Sequence, residues 1–83
     1  MIIMKIELKE QLSEKRKKFG QELRELRKRK GMTQEELAEL TGLSDNTIGY
    51  IENGKQKPTI ETLYLFAMIF DMKTSEFFNA LDD

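Results

Sequence analysis

The sequence predicts an all-α domain, a compact set of five helices with an additional apolar segment at the N-terminus. Three observations lead there. Apolar residues from Phe19 onward recur at the three- and four-residue spacing of a helix face. Ser and Thr caps alternate with Gly stops at short intervals, so most of the helices are short. The chain has 83 residues, with no repeat or low-complexity tract, which is enough for one small core and no second domain.

The first helix is expected from Ser13, which can cap, with Glu14 in the positive first turn. Phe19, Leu23 and Leu26 give it a buried face, and Lys30-Gly31 gives it cations and a left-handed stop. Thr33-Gln34-Glu35-Glu36 has the form of a capping box, with Thr33 bonding forward and Glu36 reaching back. The second helix then carries Leu37, Ala38 and Leu40 and stops at Thr41-Gly42. Ser44 caps a third helix whose apolar pair is Ile48 and Ile51 and whose stop is Asn53-Gly54. After the loop Lys55-Gln56-Lys57-Pro58, Thr59 caps a fourth helix running to about Phe70. Thr74 or Ser75 begins a fifth, with Phe77, Phe78 and Leu81. Residues 13–83 thus form the domain. Residues 1–12, with Ile2, Ile3, Met4, Ile6, Leu8 and Leu12, are too apolar for a free tail and suit a strand, an added helix or an arm packed on another chain.

Composition removes several classes of function. There is no Cys and no His, so thiol catalysis, imidazole base catalysis and the usual zinc sites are excluded. Glu35, Glu36 and Glu39 are the one carboxylate cluster that invites an enzymatic reading, but the capping box accounts for Glu36 and no nucleophile or phosphate loop accompanies them. No enzyme, cofactor or metal is expected. Apolar runs are too short for a membrane span and the first residues lack the form of a signal peptide, so a cytoplasmic location is expected. The net charge is −1, yet residues 1–30 carry +6 and residues 31–83 carry −7. Lys15-Arg16-Lys17-Lys18 and Arg27-Lys28-Arg29-Lys30 read either as solvated helix faces or as a positive edge that holds phosphates.

The functional signal lies between Gln34 and Asn53. Two short helices are joined by a turn at Gly42, with the small Ala38 where they approach and Leu37, Leu43, Ile48 and Ile51 pinning them to the core. This is the helix-turn-helix pattern, whose second helix enters the DNA major groove. At about 100° per residue, Ser44, Ile48 and Ile51 face inward, while Asn46, Gly49, Tyr50 and Asn53 face out with Asp45 at the edge. Asn46 can pair with adenine, and Asp45 can accept from cytosine or simply charge the helix start. Tyr50 can meet a thymine methyl or a phosphate, and Gly49 lets the backbone approach closely. No Arg lies on this face, so an A·T-leaning site is expected.

The runs Gly31-Met32-Thr33-Gln34-Glu35-Glu36-Leu37-Ala38, Thr41-Gly42-Leu43-Ser44, Ile51-Glu52-Asn53-Gly54-Lys55 and Pro58-Thr59 resemble the lambda-repressor-like, XRE-type helix-turn-helix family over about residues 14–78. The resemblance implies double-stranded DNA as the partner. It implies phosphate binding by Gln34 at the N-terminus of the second helix, with Thr33 a cap first, and by Asn53 and Lys55 after the third helix, where Lys57 also flanks the groove. It also implies that Arg27 bridges Glu52, either as a structural ion pair or while presenting an N–H to phosphate.

The fourth helix is apolar nearly all round. Ile60, Leu63, Phe66, Ala67 and Phe70 form a stripe expected in the core, and Tyr64, Leu65, Met68 and Ile69 form a second. A helix of this kind is normally covered. Two covers are available: a second copy of the chain, meeting Leu65, Met68, Ile69, Phe78 and Leu81, or the N-terminal segment, folded back or exchanged between chains. A homodimer reading an inverted repeat is the leading expectation, and a transcriptional repressor or autoregulator the leading function. The rival is an antitoxin-like module whose apolar face binds a partner protein.

Overall fold

The computed structural model describes residues 2–81, with side chains from Lys5 onward. Expectations for Met1, and for the side chains of Ile2, Ile3 and Met4, lie outside the described residues. Five helices follow one another: α1 (Ile2–Arg29), α2 (Gln34–Thr41), α3 (Asp45–Glu52), α4 (Ile60–Ile69) and α5 (Thr74–Leu81). No strand occurs among the described residues.

The core is a single cluster at the junction of all five helices. Leu23 and Leu26 of α1, Leu37 and Ala38 of α2, Ile48 and Ile51 of α3, Phe66 and Ala67 of α4, Phe70 just after it, and Phe77 and Leu81 of α5 are buried there. Phe66, Phe70 and Phe77 form a triangle of rings with centroids 6.4 Å apart on every side, within the range of favourable aromatic packing.

Local chemistry sets the helix ends. Gly31 adopts φ +72°, and the amides of Gly31 and Met32 close α1 on the carbonyls of Lys28 and Arg27. The capping box is formed: Thr33 Oγ1 accepts from the Glu36 amide at 3.0 Å and Glu36 Oε1 from the Thr33 amide at 3.2 Å. Ser44 and Thr59 cap α3 and α4, each accepting the amide three residues on at 3.1 Å.

Three expectations are corrected. Ser13 does not begin a helix, because α1 runs through it without a break from Ile2. Glu10, Gln11, Leu12, Glu14 and Lys15 around it are good helix formers, and nothing before Gly20 interrupts them. Residues 2–12 therefore continue α1 rather than forming a strand or separate element. Ile60 is not in the core; at the first position of α4 it is 64% exposed. Leu81, expected on a dimer face, is only 4% exposed and packs in the core, because α5 turns it inward beside Phe77. Ile69 is half-buried against the same core, whereas Leu65, Met68 and Phe78 are exposed.

Candidate nucleic-acid interface

α3 is built to show one face and anchor the other. Ile48 and Ile51 are fully inside, while Asp45, Asn46 and Tyr50 are exposed and Gly49 is half-buried. Asp45 sits in the first turn, where its charge suits the helix dipole. Asn53 caps the far end, its amide bonding to Gly49 O at 3.0 Å, and its side chain is exposed. Lys55 and Lys57 are exposed on the loop beyond, and the amides of Lys55 and Gln56 return to Tyr50 O. Asp45, Asn46, Tyr50, Asn53, Lys55 and Lys57 are therefore all exposed along α3 and the loop that follows it.

The C-terminal end of α3 is braced against α1 in three ways. The first is a backbone approach: a methyl group on Gly20 would overlap the carbonyl oxygens of Glu52 and Ile51. Gly20 carries no chemistry and was not singled out in the sequence. Its signal is a lone glycine inside a helical run, which marks a close approach. The second is Gly54, at φ +72°, which rests on the backbone of Lys17. The third is polar. Arg27 Nε donates to Glu52 Oε2 at 2.6 Å and Nη2 to Oε1 at 3.2 Å, while Nη1 donates to Met32 O at 2.7 Å.

Arg27 forms the structural ion pair: three of its five N–H groups are engaged and its side chain is 7% exposed. The planar fork that holds both carboxylate oxygens also meets Met32 O, and its edge still reaches the surface beside Thr33 and Gln34. The same network draws in Gln34, whose Nε2 donates to Glu52 Oε1 at 3.0 Å. No buried side-chain nitrogen or oxygen lacks a partner among the described residues.

The N-terminus of α2 opens onto a shallow depression lined by Met32, Thr33, Gln34, Glu35, Asp45 and the edge of Arg27. Backbone amides and the positive end of the helix dipole face such a site. Thr33 bonds the Glu36 amide and is occupied as a cap. Glu35 and Asp45 place two carboxylates in the same lining, beside the edge of Arg27.

Five short-looped helices with an outward-facing third helix, braced on the first, define a helix-turn-helix domain of the kind that lays one helix in a DNA groove. The chain belongs to the HTH_3 helix-turn-helix family, whose model matches residues 23–77. Solved structures agree. The restriction-modification controller protein C.AhdI from Aeromonas hydrophila is 39% identical, with a TM-score of 0.68 over 74% of this chain and 92% of that one. The clp gene regulator ClgR from Corynebacterium glutamicum is 25% identical, with a TM-score of 0.75 over 82% of this chain and 72% of its own. An HTH_3 family transcriptional regulator from Vibrio cholerae is 34% identical at a TM-score of 0.71, covering 82% of this chain and 38% of that chain. No curated protein sequence matches the chain.

Proposed function

We propose that this chain is a dimeric regulator of transcription that binds double-stranded DNA sequence-specifically and acts as a repressor or autoregulator. The observation that carries the reading is the outward face of α3, where Asn46 and Tyr50 are exposed and Gly49 lies half-buried between them while Arg27, Gly20 and Gly54 fix the helix behind them. Asn46 and Tyr50 would meet base edges, and Asp45 would either accept from a cytosine amino group or serve only as a helix-start charge. Gln34, Asn53, Lys55 and Lys57 would hold phosphates on either side of the groove. Regulation is the role named for C.AhdI, ClgR and the Vibrio cholerae protein. No helix among the described residues is long and apolar enough to cross a membrane, and we propose a cytoplasmic protein.

Two copies related by a two-fold axis would read an inverted repeat with half-sites roughly 34 Å apart. The test is selection of bound duplexes from a random library at moderate salt, since phosphate contacts alone give binding that falls steeply as salt rises. An enriched inverted repeat supports the reading. A folded protein that enriches nothing overturns it and favours the partner-binding module.

A further inference from the structure

We propose that the projecting N-terminal half of α1 lies on the exposed face of α4 of a second copy, and reciprocally, so that the dimer is held by exchanged helices. This inference rests on the dimeric reading above and names the surfaces that make it.

Two apolar surfaces are left uncovered. α1 has 28 residues, about 42 Å at the usual rise per residue. The domain measures 43 × 26 × 20 Å, so α1 spans its long axis. Every residue from Lys5 to Leu12 is exposed, and Ile6, Leu8 and Leu12 are each at least half so. A solvated stretch of helix of this length is marginal by itself in water. On α4, Tyr64, Leu65 and Met68 are exposed as well, Met68 at 72%. The N-terminal segment does not fold back to cover α4 in its own chain, because α1 is continuous and both surfaces stay open together.

The two surfaces match in spacing and charge. On α1, Lys5, Leu8, Leu12 and Lys15 follow one another at steps of three, four and three residues. On α4 and the turn after it, Glu61, Tyr64, Met68 and Asp71 follow at the same three steps. The α1 series keeps to one helical face, as do Glu61, Tyr64 and Met68 on α4, the spacing by which two helices interlock along a seam, and Asp71 follows in the left-handed turn just past α4. One is cation–apolar–apolar–cation and the other anion–apolar–apolar–anion. Glu61 and Asp71 are exposed at the two ends of the α4 stripe, and Lys5 at one end of the α1 stripe. The positive charge of Lys15 marks the other end, whatever it bonds to within its own chain. Two α1 stripes would bring lysines together, and two α4 stripes carboxylates, so like-with-like pairing is disfavoured. A second copy supplies the opposite surface each time, which is the requirement for an isologous two-fold interface. The family match begins at residue 23, so this half of α1 lies outside the part the family shares.

The absence of Cys makes the test direct. Leu8→Cys and Met68→Cys are prepared as separate full-length proteins, mixed and oxidised without DNA. The expected result is a Leu8-to-Met68 cross-link between copies. Cross-links confined to Leu8 with Leu8, or to Met68 with Met68, overturn the proposal. Sedimentation supplies a second readout. Glu61→Lys is expected to weaken self-association about fivefold, as for a rim ion pair, and Lys15→Glu in the same chain to restore it, because the antiparallel register that sets Leu8 against Met68 also sets Lys15 against Glu61. Failure of that reversal overturns the charge match. An unsubstituted chain that sediments as a monomer overturns both the interface and the dimer. An enriched inverted repeat accompanied by the wrong cross-links removes only the interface proposed here.

Discussion

Arg27 and Glu52 hold each other inside the domain, 25 residues apart in sequence, through hydrogen bonds of 2.6 and 3.2 Å, and thereby fix the end of α3 to the end of α1. The pair is nearly dry, at 7% and 1% side-chain exposure. Breaking such a pair from one side strands a charge, at a cost of about 3–5 kcal/mol. Arg27→Ala is therefore expected to lose that much in urea denaturation, a large part of a small domain's stability. Arg27→Met combined with Glu52→Leu should recover most of it, because an apolar pair needs no desolvation. A loss below about 1 kcal/mol for Arg27→Ala would place the pair among solvated surface bridges instead.

Gly20 and Gly49 are expected to respond in opposite directions to the same change. Both lie inside helices, where Ala is favoured over Gly by roughly 0.5–1 kcal/mol. At Gly20 the added methyl meets backbone carbonyls of Glu52 and Ile51, which cannot turn aside. Gly20→Ala should lower stability by roughly 1–3 kcal/mol, as overpacking does. At Gly49 the nearest atoms are the Gln34 amide at 3.8 and 3.9 Å, an ordinary contact. Gly49→Ala should raise the melting temperature yet weaken specific DNA binding, if the bare backbone is what comes close to the bases. Melting curves and titration with the selected duplex check both halves.

Asn46→Ala with Tyr50→Ala addresses the reading face alone. Both side chains are exposed and neither belongs to the core, so circular dichroism and stability should stay native. Each good base contact is worth about 1–3 kcal/mol of discrimination. The double variant should bind cognate DNA no better than random duplex. Retained preference for the selected site would move the readout off α3.

Much of this was legible in the sequence for local reasons. Thr33, Ser44 and Thr59 were readable as caps because a cap depends on a few neighbouring residues. The outward set of α3 followed from helical periodicity, once Ile48 and Ile51 fixed the inward side. What was illegible depends on tertiary neighbours. Ser13 carries a cap's chemistry, but a helix already running from Ile2 leaves it nothing to cap. Nothing local to Leu81 distinguishes a dimer contact from a core residue; the packing of α5 beside Phe70 does. Arg27 could be paired with Glu52 by resemblance, but its third bond, to Met32 O, is visible only in three dimensions.

The depression at the start of α2 holds Glu35 and Asp45 beside the edge of Arg27, whose charge is already paired with Glu52. Among the residues proposed to meet phosphates, Lys55 and Lys57 carry the positive charge, and both are exposed on the loop after α3. Each neutralised phosphate contributes about 0.9 to the slope of log affinity against log salt. Lys55→Ala should therefore weaken binding to all duplexes alike and flatten that slope by about 0.9 for each copy bound, or about 1.8 for a dimer on its operator. Base preference should be unchanged, since a phosphate contact fixes position without reading sequence. An unchanged slope would show that Lys55 stays clear of the DNA. A changed base preference at constant slope would make it a reader rather than a clamp.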